Sequence, residues 1–395
     1  MSTGAAASVP ASASVSAAVA VVGAGPVGLT AALAAHARGL ETVLLEARPR
    51  DAVRPGSRAV FVHRATLDHL ARVDPGLSSE ITARGLVWST RSTLWAGRPV
   101  HHRVYPAPSG LVPFTCLAQN EVEDVLRRAC DAAGIRTVWG DAVRELEHRP
   151  GGVRLRTAAG TAYEAGHVIA ADGARSAVRD RAGIELEGST SETEFVVVDV
   201  AGAPDSGAAR VFHYRHPAAG GRNVLLVPFR GGWRVDVQCR PGDDARRTAA
   251  TADRWVPRLL PDVSPVRITW TSVYRFQRRV AARFTDPRHR VLLAGEAAHL
   301  LPPFGARGMN SGVVDAVEAA RAVAEGTVPR YAAERRAAAI ANVRAAGAAL
   351  DHLLAERRGQ RVRQWAAARV AAHRPAAGRW LDAAPYGPTT RTVTY

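Results

Sequence analysis

Lysine is absent from the 395 residues: all 52 basic side chains are arginine, and against 36 acidic ones they leave a formal charge of +16. The arginines are scattered, with no block of about five like charges. This is a compositional bias toward Arg and Ala, not a phosphate-binding stripe, so nucleic acid is not an expected partner. Attraction of small anionic cofactors and substrates is. Cysteine is scarce. Cys116, Cys130 and Cys239 are odd in number and unclustered, which excludes a disulfide framework and zinc spacing. The default expectation is a reducing cytoplasm and no metal site. No apolar run approaches the roughly 20 residues of a membrane span, so no membrane partner is expected. The N-terminus, MSTGAAASVPASASVSAA, lacks a basic segment and a leucine-rich core. Residues 1–16 are expected to be a disordered tail rather than a signal peptide. No Ser/His/Asp or metal-ligating constellation stands out, and the pair His101-His102 has no metal partner and is expected at the surface.

What is present is a chain 47% hydrophobic, long enough for two domains or one large composite domain. Residues 17–46 read strand, Gly-rich turn, helix, strand: AAVAVV, GAGPVG, LTAALAAHARG ended by Gly39, then ETVLLE. This βαβ unit predicts a parallel sheet at the N-terminus. Further on, GLVWSTRSTLWAGRPVHHRVY alternates apolar and polar residues around a Gly turn and predicts antiparallel strands. QNEVEDVLRRACDAAG predicts an amphipathic helix closing on Gly134. Residues 194–240 and VRITWTSVYRF are β-rich, and the Ala/Arg-rich run 331–373 is helical by propensity. No internal repeat is found.

Three motifs carry chemistry. Gly23-Ala-Gly25-Pro-Val-Gly28 follows a strand and opens a helix. Gly23 permits the tight turn, Gly25 lets backbone approach a pyrophosphate, and Gly28 lets the helix pack on the strand. The helix N-terminus adds free N–H groups and partial positive charge. Glu46 ends the next strand, where an acid bonds an unmodified ribose, as in NAD or FAD, better than a 2′-phosphate. No second motif of this kind is seen. VIAADGARSAVR (168–179) ends a strand in Asp172-Gly173 ahead of a helix; alone it reads equally as a loop with an Asp cap. GEAAHLLPPFGARGMNSG (295–312) puts the carboxylate of Glu296, the corner Pro302-Pro303 and several glycines between a strand end and a helix start.

Together, GAGPVG…LLEAR, ADGARSAVR and GEAAHLLPPFGARGMNSGVVDA resemble the FAD-dependent aromatic hydroxylases, the para-hydroxybenzoate-hydroxylase-like flavin monooxygenases. The nearest likeness is to the 3-(3-hydroxyphenyl)propionate hydroxylase and polyketide-hydroxylase branch. It spans roughly residues 17–325, and the last 70 residues match less clearly. The implied fold is α/β (α+β overall). A Rossmann-like FAD-binding domain (17–85, 111–185 and 286–330) would carry an inserted, mostly antiparallel β-sheet substrate domain (86–110 and 186–285). A C-terminal helical segment (331–395) would follow. The resemblance implies that Gly23, Gly25 and Gly28 hold the FAD pyrophosphate and Glu46 the adenosine ribose. Arg58 would lie near the phosphates, and Gln119 near the ribityl–phosphate region. Asp172 belongs to an Asp-Gly motif linked to FAD and NAD(P)H. Glu296 would take the place of a ribityl-binding aspartate, Pro302-Pro303 would wall the isoalloxazine, and Gly305 and Gly308 would admit backbone to it. The main-chain N–H groups of Met309 and Asn310 would face its pyrimidine side. The chain departs from the family at Glu296, usually Asp, and at Ala306-Arg307, usually Gly-Gln. Arg307 would either draw an acidic substrate or NAD(P)H, or point into solvent.

The implied activity is hydroxylation of an aromatic or polyketide-like small molecule, in the manner of secondary metabolism. NADPH or NADH would be the electron donor and O₂ the co-substrate, through a flavin C4a-hydroperoxide. Candidate catalytic residues are Pro303 and, on a substrate-side strand, His213, Tyr214 and Arg215, backed by Phe229 and Trp233. On a strand His213 and Arg215 share one face and Tyr214 takes the other, so only one set can face the flavin. His299 is expected to bond in support, not to act as a base. Epoxidation, Baeyer–Villiger insertion, reduction of an isoprenoid and a catalytically impaired flavoprotein remain open. A flavin halogenase would carry W-x-W-x-I-P, which is absent. A monomer or homodimer is expected.

Overall fold

A computed structural model describes residues 15–52, 55–105, 112–202 and 209–387. Most of the tail, residues 1–14, lies outside these, as do parts of the expected insert and C-terminal segment. Val15 and Ser16 do not belong to a tail: the first strand, Val15–Val22, starts at Val15 because its parallel partner Ala162–Ala170 extends that far.

The first sheet has seven strands. Val15–Val22 lies between Thr42–Glu46 and Ala162–Ala170, parallel to both, and Val291–Leu293 pairs parallel on the far side of Ala162–Ala170. Arg136–Trp139 adds a parallel edge, and the meander Val143–Arg149, Gly152–Thr157 completes the order. The central strands read as unbroken Val/Ala/Leu because both faces are covered: Val19, Ala20 and Val21 are wholly buried, as are Val168 and Ile169. The helix Pro26–His36 covers one face and is itself almost entirely buried, packing on the helix Arg307–Glu325. Small residues allow that approach. A Cβ at Gly312 would stand 2.6 Å from the Val27 side chain.

The second sheet has eight strands, in the order His299–Leu300, Arg267–Ala281, Leu186–Ala201, Gly232–Gln238, Arg222–Phe229, Ala209–His216, Thr90–Trp95, Arg98–Val104. It is antiparallel except where Ala209–His216 runs parallel to Thr90–Trp95. The hairpin between the last two strands turns on Ala96 and Gly97, both with positive φ, the geometry of a type I′ turn. The period of two gives this sheet two dry faces. Val196, Val198, Val224, Leu226, Val235 and Val237 pack outward on the short helices around Ala245–Leu260. Phe195, Phe212, Tyr214 and Phe276 face inward, against Phe304 and the C-terminal helices. Farther along the inner face, Val227 and Phe229 meet Trp88, Phe114 and Cys116.

The Ala/Arg-rich run is divided. Helix Val328–Leu354 stops at Ala355, whose φ of +44° turns the chain, and Arg358–Val370 and Pro375–Ala383 follow. Their return across the inner sheet covers His101, which lies 3.9 Å from Asp382; the expected surface position holds only for His102, which is exposed.

Candidate active site

Three parallel strands end side by side, and each carries one motif at its carboxyl end. After Val15–Val22 comes the glycine turn. Gly23 has φ +99°, and a Cβ there would stand 2.5 Å from the Ala171 carbonyl. A Cβ at Gly28 would collide with the Gly23 carbonyl at 1.7 Å. Glycine is therefore required at both places for helix and strand to meet. Gly25 caps the helix without any side-chain bond, so the N–H groups of its first turn are available to an anion. The buried Glu46 carboxylate accepts from Ala24 N at 2.5 Å and Arg48 N at 3.0 Å, tying the second strand end to the turn.

After Ala162–Ala170, Asp172 accepts from the Ser176 hydroxyl at 2.5 Å and from Val178 N at 3.1 Å. Burial raises its pKa, and these bonds work against that rise. Ser176, not Asp172, is the N-cap of the short helix Ala177–Arg181. After Val291–Leu293, Gly295 turns with φ +60° and Glu296 stands exposed. A Cβ at Gly173 would lie 4.0 Å from Glu296 Oε2, so the glutamate reaches across the Asp-Gly turn. Its carboxylate has no hydrogen bond among the described residues.

Behind Glu296 the backbone is anchored. Asp315 accepts from Gly295 N at 3.1 Å, His299 Nε2 at 2.7 Å and Arg335 Nε at 2.7 Å. Burial alone would raise the Asp315 pKa, but Arg335 and His299 outweigh it and hold it low.

The loop then exposes Pro303 while Pro302 and Phe304 are buried. Gly305 and Ala306 both adopt positive φ and turn the chain into the helix Arg307–Glu325. That helix start has no side-chain cap and no acid in its first turn, so its orphan N–H groups are those of Arg307, Gly308 and Met309. A Cβ at Gly308 would meet nothing within 4 Å, so open space lies beside this turn. Asn310 is wholly buried and structural in its side chain. It accepts from His63 N at 2.9 Å and the Thr66 hydroxyl at 2.6 Å, and donates to the carbonyls of Phe61 at 2.8 Å and Ala306 at 2.6 Å. His63 Nε2 lies 2.9 Å from the Gly305 carbonyl, and burial lowers its pKa to about 4, so the ring is neutral. Sequence reasoning missed His63; nothing local marks it, because its partner is 242 residues away.

Arg307 requires a correction. It neither points into solvent nor faces outward toward an anion. The paired left-handed residues turn its side chain inward, where it is 5% exposed and donates to Asn342 Oδ1 at 3.1 Å and the Tyr386 carbonyl at 3.4 Å.

The second sheet holds the Arg58 loop over the first. The buried Asp199 accepts from Ser57 N at 2.6 Å, the Ser57 hydroxyl at 2.7 Å and Arg234 Nε at 3.3 Å. Arg234 also donates to the carbonyl of Arg58, whose own side chain is exposed and whose φ is +50°. Gln119 accepts weakly from Ala59 N at 3.4 Å and donates to Glu123 at 2.8 Å, at the start of the helix Gln119–Ala132.

The candidate trio is split by strand parity. His213 lies on the outer face, while at Arg215, which is exposed and has φ +54°, a bulge breaks the alternation. Tyr214 is inward but 1% exposed, and its hydroxyl donates to the Leu381 carbonyl at 2.7 Å beside His352 Nε2 at 2.9 Å. It stacks on Trp95 at 5.5 Å and is committed to packing. The inward residue of this strand that sequence reasoning passed over is Arg210, two positions before Phe212 in the same register; it is 5% exposed. Asp236 and Tyr386, also passed over, approach the same face.

The residues present fit a dinucleotide flavin: a glycine cradle, two uncapped helix N-termini, a free carboxylate between them, and open space at Gly308. Gln119 ties the Arg58 loop to the helix Gln119–Ala132, which packs on Pro26–His36.

Residues 16–346 match the family model described as FAD binding domain. The chain is 31% identical over 344 residues to 6-methylpretetramide 4-monooxygenase of Streptomyces rimosus, covering 80% of this chain and 58% of that protein. It is 30% identical over 320 residues to para-nitrophenol 4-monooxygenase of Pseudomonas sp. (strain WBC-3), covering 77% of each. The crystal structure of p-nitrophenol 4-monooxygenase from Pseudomonas putida DLL-E4 superposes with a TM-score of 0.79 at 26% identity, over 96% of this chain and 100% of that one. The chain thus spans little more than half of the first relative and most of the second. It belongs to the FAD-binding family of aromatic-hydroxylase-type flavin monooxygenases.

Proposed function

We propose that this protein is an FAD-dependent monooxygenase that uses NADH or NADPH and O₂ to hydroxylate a phenolic or polyketide-like small molecule. One observation carries the reading: the uncapped start of the helix Arg307–Glu325, with open space at Gly308, lies after the same strand end as Glu296 and opposite an inward-facing sheet. Bound FAD would supply hydride acceptance from the nicotinamide and activation of dioxygen. The chain's own residues then have definite tasks. Gly23, Gly25 and Gly28 hold the pyrophosphate against the helix start, and Glu46 fixes the turn and offers its carboxylate to the ribose. Glu296 takes the ribityl hydroxyls, reaching over Gly173 with its extra methylene. The N–H groups of Gly308 and Met309 face negative charge on the flavin pyrimidine, where donors at a helix start are most effective. Pro303 lends a rigid wall with no donor. The names of the relatives, which act on a pretetramide and on nitrophenol, support an aromatic substrate.

The test is aerobic turnover by the FAD-loaded protein. Phenols that stimulate NADH or NADPH oxidation, with matching oxygen uptake and a hydroxylated product, are the expected result. Flavin that neither nicotinamide reduces across a phenol panel contradicts the proposal.

A further inference from the structure

The second sheet has a cavity of its own. It measures about 420 Å³ and lies where the ends of three neighbouring strands meet the end of the helix Val328–Leu354. The opposite ends of these strands are the ones that approach the proposed flavin site, where Arg234 holds the Arg58 loop and Phe229 packs with Trp88 and Phe114. The strand Arg222–Phe229 runs from one to the other, and at about 3.4 Å per residue it separates them by roughly 24 Å. The walls of the cavity are braced by the protein itself. Asn223 Nδ2 donates to Gln238 Oε1 at 2.9 Å and to the Leu353 carbonyl at 3.3 Å, and Gln238 Nε2 donates to the same carbonyl at 3.3 Å. Gln364, on the helix Arg358–Val370, donates to the His352 carbonyl at 2.6 Å. Sheet and helices are thus tied together around a preformed space of the size that holds small molecules.

The lining has two characters. Trp95, Pro241, Leu353 and Leu354 supply apolar surface, while Arg215, Arg222, Arg240 and Arg361 bring four guanidinium groups against the single carboxylate of Glu356. Arg222 is committed within the protein: Nε and Nη2 donate to Asp243 at 2.8 and 2.7 Å, and Nη1 donates to the Ala219 carbonyl at 3.0 Å. The other three are exposed and keep donors free. Arg361 donates only through Nη1, to the carbonyls of Ala355 at 3.1 Å and Glu356 at 2.8 Å. The Arg240 side chain donates only through Nη2, to the Gly220 carbonyl. The Arg215 side chain has no hydrogen bond or ion pair among the described residues. Its backbone is nonetheless strained, with φ +54° at the bulge, and its N–H donates to Asn223 Oδ1 at 3.1 Å. Strain kept at a cavity wall, at a residue whose side chain bonds nothing in the protein, points to a ligand.

We propose that this cavity is a second small-molecule site, which binds an organic carboxylate with an apolar tail or ring. The carboxylate accepts from the free guanidinium donors of the lining, and the tail lies on the Trp95 and Leu354 surface. Glu356 makes a monoanion the better ligand, because it repels a dianion such as a phosphate ester twice as strongly. The site involves neither flavin nor nicotinamide, so it goes beyond the monooxygenase reading and does not rest on it.

The experiment is calorimetric titration of the FAD-loaded protein at neutral pH with octanoate, octanol, octyl phosphate and inorganic phosphate. Octanoate should bind at one site per chain, at least about tenfold more tightly than octanol, which lacks the charge, and than inorganic phosphate, which lacks the tail. Octyl phosphate should bind no more tightly than octanoate. Arg215→Gly removes a guanidinium and relieves the left-handed strain together, so it should melt no lower than the natural protein while binding octanoate about tenfold more weakly. A merely structural arginine would not separate the two readouts in that direction. Arg240→Ala combined with Arg361→Ala should weaken octanoate by a similar factor without changing the affinity for FAD. Three results overturn the inference: octanoate affinity unchanged in both variants, inorganic phosphate bound as tightly as octanoate, or octyl phosphate bound more tightly. Because no turnover is measured, none of these bears on the monooxygenase reading, and failure of that reading does not touch this one.

Discussion

Gly308 and Glu296 carry the account at the scale of single residues. A methyl group at Gly308 meets no protein atom, and alanine is a better helix former than glycine by about 0.5–1 kcal/mol. Gly308→Ala should therefore leave the melting temperature of the apoprotein equal or slightly higher, and Gly308→Leu, which fills the open space, should weaken FAD binding at least tenfold by fluorescence titration, about 1.4 kcal/mol. Equal FAD affinity in the Leu variant would remove the flavin from that space. Glu296 has no structural bond to lose, so Glu296→Gln should alter FAD affinity without altering stability. His63 makes a pH prediction. Its folded pKa, about 4, lies below the ordinary 6.5, so above about 6.5 the group has no effect on stability. As pH falls from there toward about 4, the unfolded chain takes up the proton first and up to about 3 kcal/mol of stability is lost. His63→Gln should flatten that part of the stability–pH curve, measured by urea unfolding at pH 7 and pH 4.5.

Among the elements, the helix Arg307–Glu325 matters most, because its start is both the surface proposed to face the flavin and a joint between segments. Asn310 fixes it to Phe61–His63 and Thr66 by four side-chain bonds, and Asp315 fixes it to the Gly295 turn and to Arg335. Asn310→Ala should cost about 3 kcal/mol, since it strands several buried groups at once. Asp315→Asn should cost about 3–5 kcal/mol, because it leaves the Arg335 charge buried and uncompensated. Both should be read as shifts in urea midpoint at constant slope. The motifs in this region were legible because their chemistry is local: a turn that only glycine can make, a strand that ends in a carboxylate, a helix start with no cap. Arg307 was misread because its partners, Asn342 and Tyr386, come from helices far along the chain. A buried arginine looks the same in sequence as a solvated one.

At the scale of the whole molecule, one sheet builds the glycine turn proposed to cradle the nucleotide, and the other holds the Arg58 loop through the buried Asp199–Arg234 pair. The two-sheet plan could be read from periodicity, but the register that decides which residues face inward could not. The alternation in ARVFHY separates Arg210, Phe212 and Tyr214 from Val211 and His213, and only strand pairing and the packing of Phe304 reveal which set is enclosed. Asp236 and Arg210 were invisible for the same reason. Charged residues in a strand read as its wet face, and here they lie on a face covered by another layer. The most direct test of the central claim is turnover of the FAD-loaded protein with a phenol in isotopically labelled dioxygen. The account predicts one labelled oxygen atom in the product per nicotinamide oxidised, with the flavin reduced faster when the phenol is present. A flavin reduced by neither NADH nor NADPH, or a product with no label, would contradict it.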